Sequence, residues 1–152
     1  MSGRIDARLK ELGITLPTPR PPVANYVPCV QSGRLVFVSG QLPGDPKYTG
    51  KLGDKMSIED GAAAARLCCL NIIAHVRAHL GGDLDKVTRV VQVQGLVNAV
   101  PGFTDHPTVV NGASDLLVQV FGEAGKHSRF AVGMSSLPRD AAVEVAAILE
   151  VA

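Results

Sequence analysis

Apolar positions along the chain follow two periods. Near the start, Ile5, Leu9 and Leu12 recur at helical spacing and stop at Gly13, which predicts a short amphipathic helix closed by a glycine. Residues 16–22 hold Pro17, Pro19, Pro21 and Pro22, a stiff extended connector. Residues 26–31 read as a strand, with Pro28 pointing to an edge position, and Ser32-Gly33 as a hairpin turn. Residues 35–39 form a second, buried-looking strand that breaks at Gly40. The polar, glycine-rich stretch 44–55 is expected to be a surface loop. Ser57-Ile58-Glu59-Asp60 has a capping-box pattern and opens a helix running to about Leu80. Its buried stripe is predicted at Ala62, Ala65, Cys69, Ile72, Ile73, Val76 and Leu80. Residues 87–97 make a third strand, with Val91, Val93 and Gly95 on one face and Gln92 and Gln94 on the other. A second main helix spans about 107–122, with Val110, Ala113, Leu117 and Val120 inward.

The last quarter, 128–138 followed by 143–145, reads as two apolar strands joined by a tight connection at Leu137-Pro138-Arg139-Asp140. The element order after the first helix is then ββαβαββ. That order predicts an α+β fold, a mixed or antiparallel sheet covered by helices on one face. The uncovered face should remain rich in Val, Ala and Gly, which favours a homo-oligomer with sites at its seams.

The 152 residues are expected to form one domain, with the helix and proline-rich connector of 1–22 at its start. Apolar residues make up 46% and charged residues 19%, which suits a compact chain rather than a disordered one. A net charge of +1 and an aromatic content of 4% argue against nucleic-acid binding, and so against a ribonuclease. No apolar run approaches a bilayer span and the N-terminus has no secretory h-region, so no membrane partner is expected. Cys29, Cys68 and Cys69 are odd in number and two are adjacent, which implies reduced thiols and a cytoplasmic setting.

Each C-terminal strand carries one charge in an apolar run: Arg129 in the first, Glu144 in the second. A cation that fixes an anionic group and a carboxylate that handles a proton can together make a site. In a hairpin centred on Pro138 the two lie about 13 Å apart along the sheet, and a small carboxylate could lie between them on a shared face. A slip of one residue puts them on opposite faces, and both can equally be charges on a sheet rim. His75 and His79 are four apart on one helix, but no third ligand accompanies them; they read as a solvated helix flank and no metal is expected. His106 and His127 border loops and carry no motif. No nucleophile elbow, P-loop or dinucleotide fingerprint is present.

Together these residues resemble the RidA family, also called YjgF or L-PSP endoribonuclease-like. The resemblance runs from about Tyr26 to the C-terminus. It rests on Tyr26 before the first strand, on Val38-Ser39-Gly40-Gln41-Leu42-Pro43, on Asn111, and on Arg129 nine residues before Pro138 with Glu144 six after it. It departs at His127-Ser128, Phe130 and Ala131, in the manner of a divergent subgroup. The resemblance implies a chorismate-mutase-like (bacillus-type) α+β fold and a homotrimer with sites between subunits. It implies hydrolysis of reactive 2-imino or 2-enamino acids to 2-oxo acids and ammonia, without metal or organic cofactor. By position, Arg129 would grip the substrate carboxylate and Glu144 would polarise the attacking water. Tyr26 would wall the pocket, the backbone around Ser39, Gly40 and Ala131 would offer polar contacts, and Asn111 would come from a neighbouring chain. A carboxylate-binding or sensor protein without catalysis, and an amide hydrolase, are the alternatives on the same scaffold. A regular strand would point Phe130 away from Arg129.

Overall fold

In the computed structural model, which describes residues 3–21 and 24–152, eight regular elements surround one hydrophobic core. Three are helices: α1 (Arg4–Glu11), α2 (Ile58–His79) and α3 (His106–Phe121). Five are strands: β1 (Cys29–Ser32), β2 (Leu35–Gln41), β3 (Val87–Asn98), β4 (Ser128–Met134) and β5 (Val143–Val151). Pro22, the last residue of the expected connector, lies outside the described residues.

α1 forms where the spacing predicted it and buries Ile5 and Leu9. Its first N–H groups are capped from a distance. The Asp85 carboxylate accepts from Arg4 N and Ile5 N, both at 2.8 Å, and those backbone bonds hold its pKa below the usual carboxylate range. Ser57 caps α2 by accepting from Asp60 N at 3.1 Å. Gly112 of α3 lets that helix close on α2, because a Cβ there would overlap the Ala62 backbone. α2 is therefore buried on more than a stripe: Gly61, Ala64 and Cys68 are covered as well as Ala65, Cys69, Ile72, Ile73 and Val76, whereas Ala62 is half-covered. His75 is only 7% exposed, which corrects its placement on a solvated flank; His79 is exposed and meets Gln31 Oε1 at 2.9 Å.

The sheet is mixed, in the order β1-β2-β5-β3-β4. β1 and β2 form the expected hairpin, although β1 starts at Cys29 rather than Tyr26. The C-terminal strands correct the sequence expectation. They are not a hairpin, because β3 lies between them, pairing parallel with β4 and antiparallel with β5. α3 carries the chain from β3 across to the parallel edge strand β4. The connection that follows is no hairpin turn, because β3 separates the strands it joins; Arg139 and Asp140 both take left-handed conformations (φ 57° and 53°) as the chain crosses to the far side of β3. Within β3 a bulge between Val90 and Gln92 turns Val90, not Val91, into the core beside Val93 and Val97.

The expected surface loop 44–55 is also corrected. Leu52 is fully buried and bridges to Ala99; Thr49 bridges to Ala141. Leu52 N donates to Asn98 O at 2.8 Å and Val100 N donates to Leu52 O at 3.1 Å, so the segment extends the end of the sheet. Asn98, wholly buried, knots it there. Its Oδ1 accepts from Lys51 Nζ at 2.8 Å and its Nδ2 donates to Asp140 Oδ1 at 3.0 Å; the Lys51 ammonium also reaches Ser135 O.

Helices α2 and α3 cover one sheet face. The other face is open and apolar as expected, with Phe37, Phe130 and Val132 each about two-fifths exposed (43%, 42% and 39%). Among the described residues, no helix is long and apolar enough to cross a membrane.

Candidate functional site

Arg129 and Glu144 reach opposite faces of the sheet. Arg129 sits opposite Val93 on β3, which points under the helices; Glu144 sits opposite Leu96, three residues on, which points to the open face. The shared face that a hairpin would have created does not exist within one chain. Phe130 does point away from Arg129, as regular alternation predicts.

The guanidinium of Arg129 is held against α3. Its Nη1 donates to Ser114 Oγ at 3.1 Å and its Nη2 to Pro107 O at 3.2 Å. Behind Ser114 stands His127, whose Nε2 lies 2.8 Å from Ser114 Oγ and whose Nδ1 lies 2.6 Å from Gly125 O. A carbonyl can only accept, so Nδ1 carries a proton; in the neutral imidazole Nε2 then accepts from the Ser114 hydroxyl, and that oxygen accepts from Arg129. The chain of bonds aims the guanidinium while leaving its charge without an acidic partner among the described residues. Ser114 and His127 were invisible as partners in the sequence. The available signal was helical spacing: Pro107, Asn111 and Ser114 fall at i, i+4 and i+7, one stripe of α3. Arg129 lies across that stripe, so Asn111, exposed between its two anchors, is brought beside it. Ala131 follows two residues later on the same face of the edge strand β4.

Glu144 gathers a second set. Burial raises its carboxyl pKa, and no hydrogen bond or ion pair within the described residues offsets that desolvation. Its carboxylate lies against Gly40 of β2, where any Cβ would overlap it; the glycine is required by that close approach. Ser39 is the neighbouring clamp. Its Oγ donates to Val27 O at 2.8 Å and its N–H to Pro28 O at 2.9 Å, which pins the segment carrying Tyr26 to β2. Tyr26 is half-exposed, and it and Gly40 line the same cavity of about 990 Å³. The structure thus gathers Arg129, Asn111 and Ala131 in one group and Glu144, Gly40, Ser39 and Tyr26 in another.

The cysteines stand apart from both as nucleophiles. Burial pushes the Cys29 thiol up to about 11 and the Cys69 thiol up to about 12, and Cys68, also raised by burial, sits in the core with its Sγ 3.5 Å from Val143 O.

Comparison with known proteins gives a consistent answer. The model of the YjgF/chorismate mutase-like (endoribonuclease) family matches residues 6–150, reaching back into α1, well before the stretch where the sequence motifs begin. Protein TCP17 of Trypanosoma cruzi is 49% identical, over 98% of this chain and 95% of its own. The 3-aminoacrylate deaminase RutC of Acinetobacter baylyi is 29% identical, over 93% of this chain and 98% of its own. A crystal structure of a protein from Agrobacterium tumefaciens superposes with a TM-score of 0.90 at 49% identity, covering 97% of this chain and 92% of that one. With the mixed sheet, the helices on one face and this match over nearly the whole length, the chain belongs to the YjgF/RidA family.

Proposed function

We propose that this protein hydrolyses reactive 2-imino and 2-enamino acids to 2-oxo acids and ammonia, in sites formed where one copy presents Arg129 and another presents Glu144. The observation that carries the proposal is the division of charge in the single chain. Among the described residues, an oriented guanidinium without a counter-ion lies on one side of the sheet, and a desolvated carboxylate without a partner on the other. Each is half of a site for a carboxylate-bearing electrophile. The open apolar face around Phe37, Phe130 and Val132 supplies the surface for assembly, a homotrimer in this proposal. The similarity to a 3-aminoacrylate deaminase supports the reaction class. Free thiols, with Cys68 and Cys69 buried and Cys29 half-covered, suit a protein of the cytoplasm.

The chemistry asks little of the protein. An imine carbon is already electrophilic, so positioning and modest electrostatics suffice. Arg129 would hold the substrate carboxylate through a bidentate pair, with Asn111 and the Ala131 backbone beside it. Glu144 would hold a water at the C=N carbon and accept its proton as the C–O bond forms. It would pass that proton to nitrogen to give the carbinolamine, then take the hydroxyl proton as C=O forms and deliver it to the nitrogen as the C–N bond breaks, so water and imine give 2-oxo acid and ammonia. A raised carboxyl pKa suits a group that must both take and return a proton near neutrality.

The test is an amino-acid oxidase assay in which semicarbazide competes for the imine formed in situ. The protein should speed 2-oxo acid release and Arg129→Ala should abolish the effect, whereas no acceleration across a broad set of precursors would sink the proposal. Glu144→Gln separates catalysis from carboxylate binding alone: it should end turnover and leave ligand binding intact.

A further inference from the structure

The cavity that Tyr26 and Gly40 share, about 990 Å³, is far larger than the imine of a two- or three-carbon amino acid needs. It stands at the upper end of the ~300–1,000 Å³ range of sites for much larger ligands. Its wall is uneven. Leu67 and Leu70 of α2 give it an apolar floor, and two arginines reach it from segments distant in sequence. Arg20 comes from the connector, stiffened by Pro19 and Pro21 on either side; Arg139 comes from the turn between β4 and β5. Neither guanidinium has an ion pair among the described residues. Asp45, the acidic residue of the wall, is engaged locally, its Oδ1 accepting from Lys47 N at 2.9 Å. His75, also in the wall, is held towards its neutral form by burial.

The backbone supplies a second, independent observation. Arg139 and Asp140 are consecutive non-glycine residues in the left-handed region, a costly arrangement for L-residues. It is over-determined by its surroundings: Asn98 Nδ2 donates to Asp140 Oδ1 at 3.0 Å and Gly50 N to Asp140 O at 2.8 Å. Those bonds fix the backbone from which Arg139 reaches the cavity wall.

We propose that this cavity is a side-chain subsite that selects imino acids bearing a second acidic group, with Arg20 and Arg139 binding that group. The inference rests on the deaminase function proposed above, since Gly40, which lines the cavity, lies against the Glu144 carboxylate. The substrate's α-carboxylate lies on Arg129 of one copy and its C=N bond over Glu144 of the next. Its side chain passes Tyr26, lies along Leu67 and Leu70, and ends on the two guanidinium groups through charge-assisted bonds.

Imines of three amino acids decide the matter: D-glutamate, D-norvaline (equal in chain length, without the second carboxylate) and D-alanine, each made in situ by a suitable oxidase. The expected result is a preference of about tenfold or more in kcat/KM for the glutamate-derived imine over the norvaline one, the effect of one charge-assisted contact. Arg139→Gly keeps the left-handed backbone without the guanidinium and should erase most of that preference, as should Arg20→Ala. Equal rates on the two imines, or a preference that survives both substitutions, would overturn the subsite while the deaminase function stands. Failure on all three imines, alanine included, would overturn the deaminase function and the subsite with it.

Discussion

If Arg129 and Glu144 of one chain cannot face the same substrate, two inactive variants should rescue each other. In Arg129→Ala every site lacks its guanidinium; in Glu144→Gln every site lacks its carboxylate. Mixed in equal amounts, a working site needs its guanidinium from a Glu144→Gln chain and its carboxylate from a neighbouring Arg129→Ala chain. Each has a chance of one half, so about one quarter of all sites are intact, whatever the number of subunits in the ring. The background is low, because losing a bidentate charged contact costs about 3 kcal/mol or more, which leaves about 1% of the rate or less. The recovery is therefore about 25-fold over either parent. The two variants are exchanged through mild denaturant in equal amounts and the whole mixture is assayed, without selecting among the assemblies. Imine hydrolysis is then read by semicarbazide competition. A mixture that stays at the level of the parents would refute the division of the site, and with it the inference from register that Arg129 and Glu144 occupy opposite faces.

Two predictions concern stability. The Glu144 pKa is raised in the folded chain above its ordinary value of 4.5, so the protonated form contributes stability that is present below that value and lost as pH rises through the folded one. Glu144→Gln, which mimics the protonated acid, should leave Tm unchanged near pH 4 and raise it at pH 7.5 by calorimetry; a lower Tm at pH 7.5 would contradict the assigned desolvation. Asn98→Ala removes charge-assisted bonds from Lys51 and to Asp140 at about 1.5–3 kcal/mol each, and water can replace part of them, for a net loss of about 3 kcal/mol. At about 2–4 °C per kcal/mol for a chain of this size, Tm should fall by about 6–12 °C, and a fall of less than about 3 °C would show that the knot does not anchor the 44–55 segment.

The elements were legible because hydrophobic period is a local property. α1, α2, α3 and the β1–β2 hairpin follow from spacing, caps and turn residues that lie next to one another in sequence. Strand order is not local. Nothing in residues 128–151 tells that β3, more than thirty residues earlier, separates β4 from β5; only the packing of α3 does. The bulge at Val91 likewise reset a face that strict alternation assigned wrongly. Leu52 was hidden because a lone leucine among Gly, Lys and Asp has no period at all. The site showed the same split. Arg129 and Glu144 stood out as charges in apolar strands, and the family motif named Tyr26, Ser39, Gly40 and Asn111. Ser114 and His127, which aim the arginine, carry no anomaly of composition and became visible only when α3 was laid against β4.

The division of Arg129 from Glu144 also explains why the carboxyl can be tuned at all. A guanidinium within about 4–6 Å of a carboxylate favours its charged form and lowers its pKa. Had the two shared a face as a close pair, Glu144 would be locked as the anion and Arg129 spent on it, leaving no cation free for the substrate. Placed on opposite sides of the sheet, each keeps the state that its task needs: the arginine charged and unpaired, the glutamate desolvated and ready to take a proton. In the proposed assembly the guanidinium would come back to the carboxylate's neighbourhood, and the α-carboxylate of a bound substrate would neutralise it there, so that it would not hold Glu144 as the anion during turnover. A second half of the site from another copy would in this way let one sheet hold an anion receptor and a proton carrier without either quenching the other.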